Sequence, residues 1–295
     1  MDLSIIIVSY NTRELLKRCL ESLIPNTGII VVDNGSNDGS REFLRDLERR
    51  KYRNIEENKK SKSLNLYNRE AISSFAYNSI SLKVIFNKNN VGFAKANNQG
   101  IKIARGKYIL LLNSDTQIRQ GTLAKLIEFA EKHPEAGAIG ARLLNPDSSV
   151  QPSIYHLPTI GRAIGEYWLG RKGTYEKYAS MGKNPAEVEA VTGAAMLIPR
   201  RIIEKVGFLD ERYFFYFEDL DFCRRVRRAG FKVYYLPSAE IIHHHGASGK
   251  EIPGETQEWL GQSSKIYHGI LRYYLITFII WVSQKWRKLL GNIKA

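Results

Sequence analysis

The sequence predicts an α/β fold built on a mostly parallel central sheet, and three features point to it. Short apolar runs alternate with helix-period segments over the first half, each run closes in polar turn residues, and the polar motifs gather at those closures. Alternation of this kind puts helices on both faces of a parallel sheet. Ligands in such folds bind at the carboxyl ends of the strands.

The predicted strands are Leu3–Val8, Ile29–Val32, Leu82–Phe86 and Tyr108–Leu112, each short and β-branched or leucine-rich. Helical periodicity falls near Glu14–Leu23, Ser40–Arg49, Phe93–Ala104 and Leu123–Lys132. Residues 49–81 break the rhythm: Lys, Asn, Ser and Glu dominate, which reads as a basic insert with a short helix around Leu66–Tyr77. In the second half, Gly193–Pro199 reads as a short buried element, Glu218–Ala229 as a helix, and Phe231–Leu236 and Ala239–His243 as strands. Ile266–Trp286 is a hydrophobic stretch with basic flanks. The chain so divides into a main domain over residues 1–258 and a basic, apolar helical segment over 259–295.

Composition narrows the partners. Lys and Arg total 44 against 30 Asp and Glu, a net charge of +14. Such a balance suits nucleic acid, an anionic membrane surface or a polyanionic small molecule. Nucleic acid is disfavoured: zinc spacing, recognition-helix pattern and aromatic–glycine RNA motifs are all missing. The first strand–helix turn, Tyr10-Asn11-Thr12-Arg13, also lacks the glycine fingerprint of a dinucleotide site. Cys19 and Cys223 lie far apart, which argues against a disulfide framework and fits a reducing, cytoplasmic compartment. The opening Met1–Val8 has no basic n-region and reads as a buried strand, not a signal peptide.

The motifs carry the chemistry. Asp33-Asn34-Gly35-Ser36 ends the second strand; its carboxylate suits hydrogen bonds from a base or ribose, or a structural turn. Asp38, ahead of the following helix, reads as a cap. An Asn-rich turn, Asn87–Asn90, leads through Gly92 into a helix that holds the poor helix formers Asn97 and Asn98. The apolar run Ile109–Leu112 delivers Asn113 and Asp115 together, because residues i and i+2 of an extended chain face one side. Hard cations such as Mg²⁺ or Mn²⁺ take one or two carboxylates plus phosphate oxygens; an Asx-turn is the structural alternative.

Glu218, Asp219 and Asp221 follow the aromatic patch Tyr213–Phe217. Aromatic surroundings raise a carboxyl pKa and offer a face to a sugar ring, although acids at a helix start also satisfy its dipole. The triplet His243-His244-His245 ends a strand, and one imidazole can complete a metal shell begun by Asp115.

In their order, these motifs resemble the family 2 glycosyltransferases of GT-A fold, most closely a rhamnosyltransferase-type branch. The matching residues are Ser9-Tyr10-Asn11, Val32–Ser36, Asn90–Ala94 with Asn97, Leu112–Asp115, Thr192–Ala194, Phe208–Glu211 and Phe217–Asp221. The resemblance covers roughly residues 1–50 and 82–250. It implies a Rossmann-like nucleotide-binding half and an acceptor-binding half; the C-terminal segment, read from its own residues as an amphipathic helix, lies outside it.

By the same resemblance, Ser9, Tyr10 and Asp33 hold base and ribose, with Asn11, Asn89, Gly92, Asn97, Asn113 and Ser114 also at the nucleotide. Asp115 is the metal ligand of the family's Asp-x-Asp position, where the first residue here is Asn113. His243, with His245 as second choice, completes the metal or diphosphate site. Asp219 is the catalytic base with Glu218 beside it, and Gly193, Asp210 and Tyr216 face the sugars. The expected reaction is an inverting, metal-dependent transfer from a nucleotide-diphosphate sugar to a glycan or lipid-linked acceptor, without nucleic acid as partner. A nucleotide-sugar-binding scaffold without turnover is the alternative.

The C-terminal segment holds no Asp or Glu after Trp259 and carries Lys265, Arg272, Lys285, Arg287, Lys288 and Lys294. Tyr273–Val282 is uncharged but well short of the roughly 20 residues that span a bilayer. A peripheral position at the inner face of the cell membrane is expected, with a buried helix or dimer contact as alternatives. Oligomeric state is not readable from the sequence.

Overall fold

The computed structural model describes residues 2–23, 27–49, 81–244 and 253–293. His245, the interior of the basic insert and its expected helix near residues 66–77 lie outside the described residues. The first half runs β1 (Leu3–Ser9), α1 (Arg13–Glu21), β2 (Gly28–Asp33), α2 (40–49), β3 (Ser81–Phe86), α3 (Phe93–Ile103), β4 (Tyr108–Asn113), β5 (Thr116–Ile118), α4 (Thr122–Lys132) and β6 (Ala136–Leu144). The second half holds β7 (Ile154–Tyr155), α5 (Ile160–Tyr167), β8 (Ala186–Val188), β9 (Ala190–Val191), β10 (Ala195–Pro199), α6 (Arg200–Val206), α7 (Glu218–Arg228) and β11 (Lys232–His243). Two helices close the chain, α8 (Pro253–His268) and α9 (Ile270–Ile293).

The main sheet has nine strands in the order β3-β2-β1-β4-β10-β6-β11-β5, with β8 on β11. β1, β2, β3, β4, β6 and β11 run one way; β10, β5 and β8 run the other. Alternate residues of β1 feed two separate cores. Ile5 and Ile7 pack with Leu16, Leu44 and Leu126 beneath α1, α2 and α4, while Ile6 and Val8 pack with Ala94, Ala96 and Phe222 of α3 and α7. Both faces of the sheet are covered, which is why its strands read as unbroken apolar runs.

The parallel register lines up the functional ends. Ser9 of β1 sits beside Asp33 of β2, and Val8 beside Asn113 of β4. Three adjacent strands therefore release their polar residues at one edge of the sheet.

Several elements differ from expectation. β6 was not legible because Ala136-Gly137-Ala138-Ile139-Gly140 is poor in β-formers, yet the strand is buried and its glycines make room. A Cβ on Gly140 would lie 2.6 Å from the Cβ of Val191. Phe231–Leu236 and Ala239–His243 are one strand, β11, whose register shifts between Leu236 and Glu240 around Pro237. Thr116 does not lead from an Asx-turn straight into a helix; it pairs with His243 across β5 and β11. The stretch Ile266–Trp286 is interrupted at Gly269, whose φ of +78° ends α8 and starts α9. The boundary placed at 258/259 falls inside α8.

Candidate active site

The floor of the site is a set of carboxyl strand ends held by short polar bonds. Ser9 Oγ and Thr12 Oγ1 are 3.1 Å apart, and Thr12 Oγ1 and Ser114 Oγ 2.8 Å, so one hydroxyl chain ties β1 to the end of β4. Asp33 is 0% exposed, and its Oδ1 accepts from the Ser36 amide at 3.3 Å with Arg41 Nη1 also at 3.3 Å. Among the described residues its Oδ2 has no hydrogen-bond partner. Burial raises the Asp33 pKa, against the hydrogen bonds from Ser36 and the charge of Arg41. A buried acceptor left open at a strand end is a place for a ligand's donor.

Asn11 adopts φ 52° and works through its own amide: its Oδ1 accepts from the Asn37 amide at 2.8 Å, while its N–H donates to Ser36 Oγ at 3.0 Å. It shapes the loop after β2.

At the end of β4, Asp115 and His243 meet. Their Oδ1 and Nε2 are 3.3 Å apart, and both side chains are buried. The His244 amide donates to the Asp115 carbonyl at 2.8 Å, which locks the end of β11 against this turn. Gln151 fixes the imidazole: its Oε1 lies 2.6 Å from His243 Nδ1, while its Nε2 donates to Asn145 Oδ1 at 2.9 Å. The carbonyl partner of that amide sets its orientation, so Nδ1 carries the proton and Nε2 faces Asp115. Among the described residues, buried Asn113 Oδ1 has no hydrogen-bond partner.

A carboxylate, an imidazole nitrogen directed at it and an open amide oxygen fit a divalent cation that completes its shell with phosphate oxygens. Among the described residues there is no group of three His, Cys, Asp or Glu side chains to hold an ion unaided.

The acid pair sits on the first turn of α7. Tyr216 and Phe217 both take left-handed backbone angles, φ 70° and 67°, before the helix begins. Two such residues in succession are strained, and the strain aims Glu218 and Asp219 inward. Asp219 Oδ2 accepts from the Gly193 amide at 3.0 Å and Oδ1 from the Leu220 amide at 2.8 Å. The neighbouring Ala194 carbonyl accepts from the Asn113 amide at 2.9 Å. Asp219 is therefore joined to the end of β4 through two consecutive residues, Gly193 and Ala194.

Burial raises the pKa of both acids, Glu218 well above its ordinary value with the charge of Asp219 adding to it. The two amides and Lys177 hold Asp219 back, whereas among the described residues Glu218 Oε2 has no hydrogen-bond partner. Asp219 is thus the member of the pair that ionises first.

The cleft beside Asn113 and Asp115 has an aromatic wall that was only partly legible. Phe93 packs edge-on to Phe215 at 5.8 Å, and Phe214 lies 4.8 Å from Trp259. With Tyr10, Asn34, Asn90 and Asp115 they line one cleft. Trp259 comes from α8, so the C-terminal segment contributes to the site. Tyr155 and Lys177 flank the acids: burial pushes the phenol up and the ammonium down, the latter opposed by Asp219. No spacing rule marks these two residues.

Other expected residues are placed elsewhere. Asn89 is exposed and it is Asn90 that lines the cleft, its Oδ1 accepting from Asn34 Nδ2 at 2.7 Å. Asn97 donates to the Phe93 carbonyl inside α3, at 2.9 Å. Asp210 is paired with Arg212, whose Nη2 is 2.6 Å from its Oδ2.

Gly92 shapes the entrance. Its φ is +89°, and a Cβ there would lie 2.7 Å from the Phe214 carbonyl, which accepts from the Phe93 amide at 2.6 Å. Gly92→Ala is expected to cost about 1–3 kcal/mol of stability. Urea denaturation measures it; an unchanged midpoint would show that the turn relaxes freely.

Sheet order, strand-end acids and a second acid pair at the start of α7 define a glycosyltransferase fold of the GT-A type. The structure is similar to the mannosyltransferase PcManGT from Pyrobaculum calidifontis in complex with GDP-Man and Mn²⁺, with a TM-score of 0.58 at 14% identity over 96% of this chain and 73% of that one.

Within that class the chain belongs to glycosyl transferase family 2, whose model matches residues 4–77 and 67–207. It is 34% identical over 148 residues to the N-acetylglucosaminyl-diphospho-decaprenol L-rhamnosyltransferase of Mycobacterium tuberculosis, 48% of each chain. It is 27% identical over 164 residues to the Escherichia coli rhamnosyltransferase WbbL, 52% of this chain and 62% of WbbL. The chain spans about half the length of the Mycobacterium tuberculosis relative.

Proposed function

We propose that this chain is an inverting glycosyltransferase that moves a sugar from a nucleotide-diphosphate donor, of dTDP-rhamnose or UDP-sugar type, to a hydroxyl of a glycan or lipid-linked acceptor. The setting is cell-surface polysaccharide synthesis at the inner face of the cell membrane. One observation carries the reading: Asp33, Asn113 and Asp115 converge at adjoining strand ends, and Gly193 ties Asp219 to the same place. The rhamnosyltransferases it resembles support the donor type.

In this mechanism Asp219 takes the proton of the acceptor hydroxyl as that oxygen attacks the anomeric carbon. The Gly193 and Leu220 amides keep the carboxylate aimed, and Glu218 stays protonated beside it. Ser9, Tyr10 and Asp33 orient the nucleotide, while Asp115 and His243, with Asn113 beside them, would hold Mg²⁺ or Mn²⁺. When bound, such an ion neutralises charge on the leaving diphosphate. The aromatic wall excludes water from the sugar.

A thermal-shift screen of nucleotide sugars with Mn²⁺ tests the reading. A true donor at 100 times its Kd adds about 2.7 kcal/mol, a rise of several degrees in Tm. If no dTDP- or UDP-sugar shifts the transition, the reading fails. Slow donor hydrolysis separates an enzyme from a binding scaffold.

A further inference from the structure

The C-terminal helix has two faces with different fates. Its inner face is seated on α5: Ile276 and Ser283 are buried, Ser283 Oγ donates to the Tyr167 carbonyl at 2.5 Å, and Arg287 Nη2 donates to the same oxygen at 2.6 Å. Trp168, just past α5, donates from Nε1 to the Ile279 carbonyl at 3.2 Å. The helix is thereby fixed to the body of the protein.

The outer face is apolar and uncovered. Leu271, Leu275, Phe278 and Leu289 recur at helical spacing along one stripe, with Leu271 87% and Phe278 60% exposed. Tyr274, Trp281 and Trp286 are also exposed beside it. A shallow groove lined by Ile164, Trp168, Phe278, Ile279 and Val282 joins this stripe to α5, beyond which Trp168 and Leu169 extend the exposed apolar surface. Soluble monomers seldom leave a contiguous patch of this kind open.

We propose that this face of α9, continued by Trp168 and Leu169, is a docking surface for an anionic bilayer, with the helix lying in the plane of the interface. The placement rests on the reading of a lipid-linked acceptor only for its purpose. Charge supplies the partner: α9 carries no Asp or Glu, and at 100° per residue Arg272 and Lys288 fall on opposite flanks of the stripe with Lys285 within it. Such a rim attracts anionic headgroups and repels the same rim on a second copy. Trp and Tyr bordering a Leu/Phe centre match the headgroup boundary, where one end of each ring is wet and the other apolar. Among the described residues no helix is long and apolar enough to cross a membrane, so insertion stops at the interface.

The test is co-sedimentation of the full chain with vesicles of phosphatidylglycerol and phosphatidylethanolamine, or of phosphatidylcholine alone. Wild type should bind the anionic vesicles and lose binding as salt rises. The double variant Leu271→Glu, Phe278→Glu should partition at least about tenfold less, since each side chain leaves the apolar layer and adds a repelled charge. Ile103→Glu, an exposed apolar position on α3, should bind like wild type. Equal sedimentation of the double variant and wild type would overturn the proposal. So would a wild-type dimer by light scattering that the double variant dissolves, because the face would then belong to a second copy. Donor binding is read separately by thermal shift: its absence alongside vesicle binding would remove the glycosyltransferase reading and leave the docking surface standing.

Discussion

Asp219→Asn is expected to lower turnover by about 10²–10⁴-fold while donor affinity stays close to wild type, because it removes a proton acceptor without removing a donor contact. The carboxylate accepts from two amides, Gly193 and Leu220, one on each oxygen. Asparagine keeps one of these bonds and turns an NH₂ toward the other amide, so the side chain should rotate slightly and the first turn of α7 should loosen. Stability measured by denaturation therefore belongs beside the kinetics.

The wild-type pH profile gives a second reading of the same group. A base works only when ionised, and burial raises the Asp219 pKa, so turnover should fall with decreasing pH on a limb lying above the ordinary carboxylate range. In the variant that limb should vanish. Wild-type turnover in a well-folded Asp219→Asn protein would assign the proton to another group, and Glu218 would be next in line.

How much of this was legible beforehand depended on the kind of signal each residue gives. Strands β1, β2 and β4 announced themselves because both faces are buried and the chain answered with unbroken apolar runs. β6 did not, since close approach to β9 required glycine where a β-former was expected. The metal-side residues Asn113 and Asp115 could be read from the two-residue repeat of an extended chain, because their position depends on local geometry. Asn89 and Asn90 differ by one residue at a turn, and only the fold shows which faces the cleft. Tyr155, Lys177 and Trp259 reach the site through long-range packing, from segments with no periodic or spacing signature. Trp259 illustrates the cost of dividing a chain by composition: a basic, apolar tail also supplied part of the cleft wall.

Asp115→Ala should abolish the Mn²⁺-dependent part of donor binding, weakening it by about 100-fold or more, since even outer partners of metal ligands contribute 10–100-fold. The reason lies in what remains. Without that carboxylate the turn keeps one imidazole and the amide of Asn113, neither of which carries a negative charge to offset a divalent ion. Calorimetry of donor binding with and without Mn²⁺ reads the effect directly, and Gln151→Leu provides the graded comparison. Gln151 holds Nδ1 of His243 at 2.6 Å and so keeps Nε2 turned toward Asp115. Its loss should reduce Mn²⁺ dependence by about 10–100-fold and leave the metal-free component of donor binding alone. If Asp115→Ala retained the full Mn²⁺ response, the ion would have to be held elsewhere, and the pairing of Asp115 with His243 would be a structural contact at the meeting of β5 and β11.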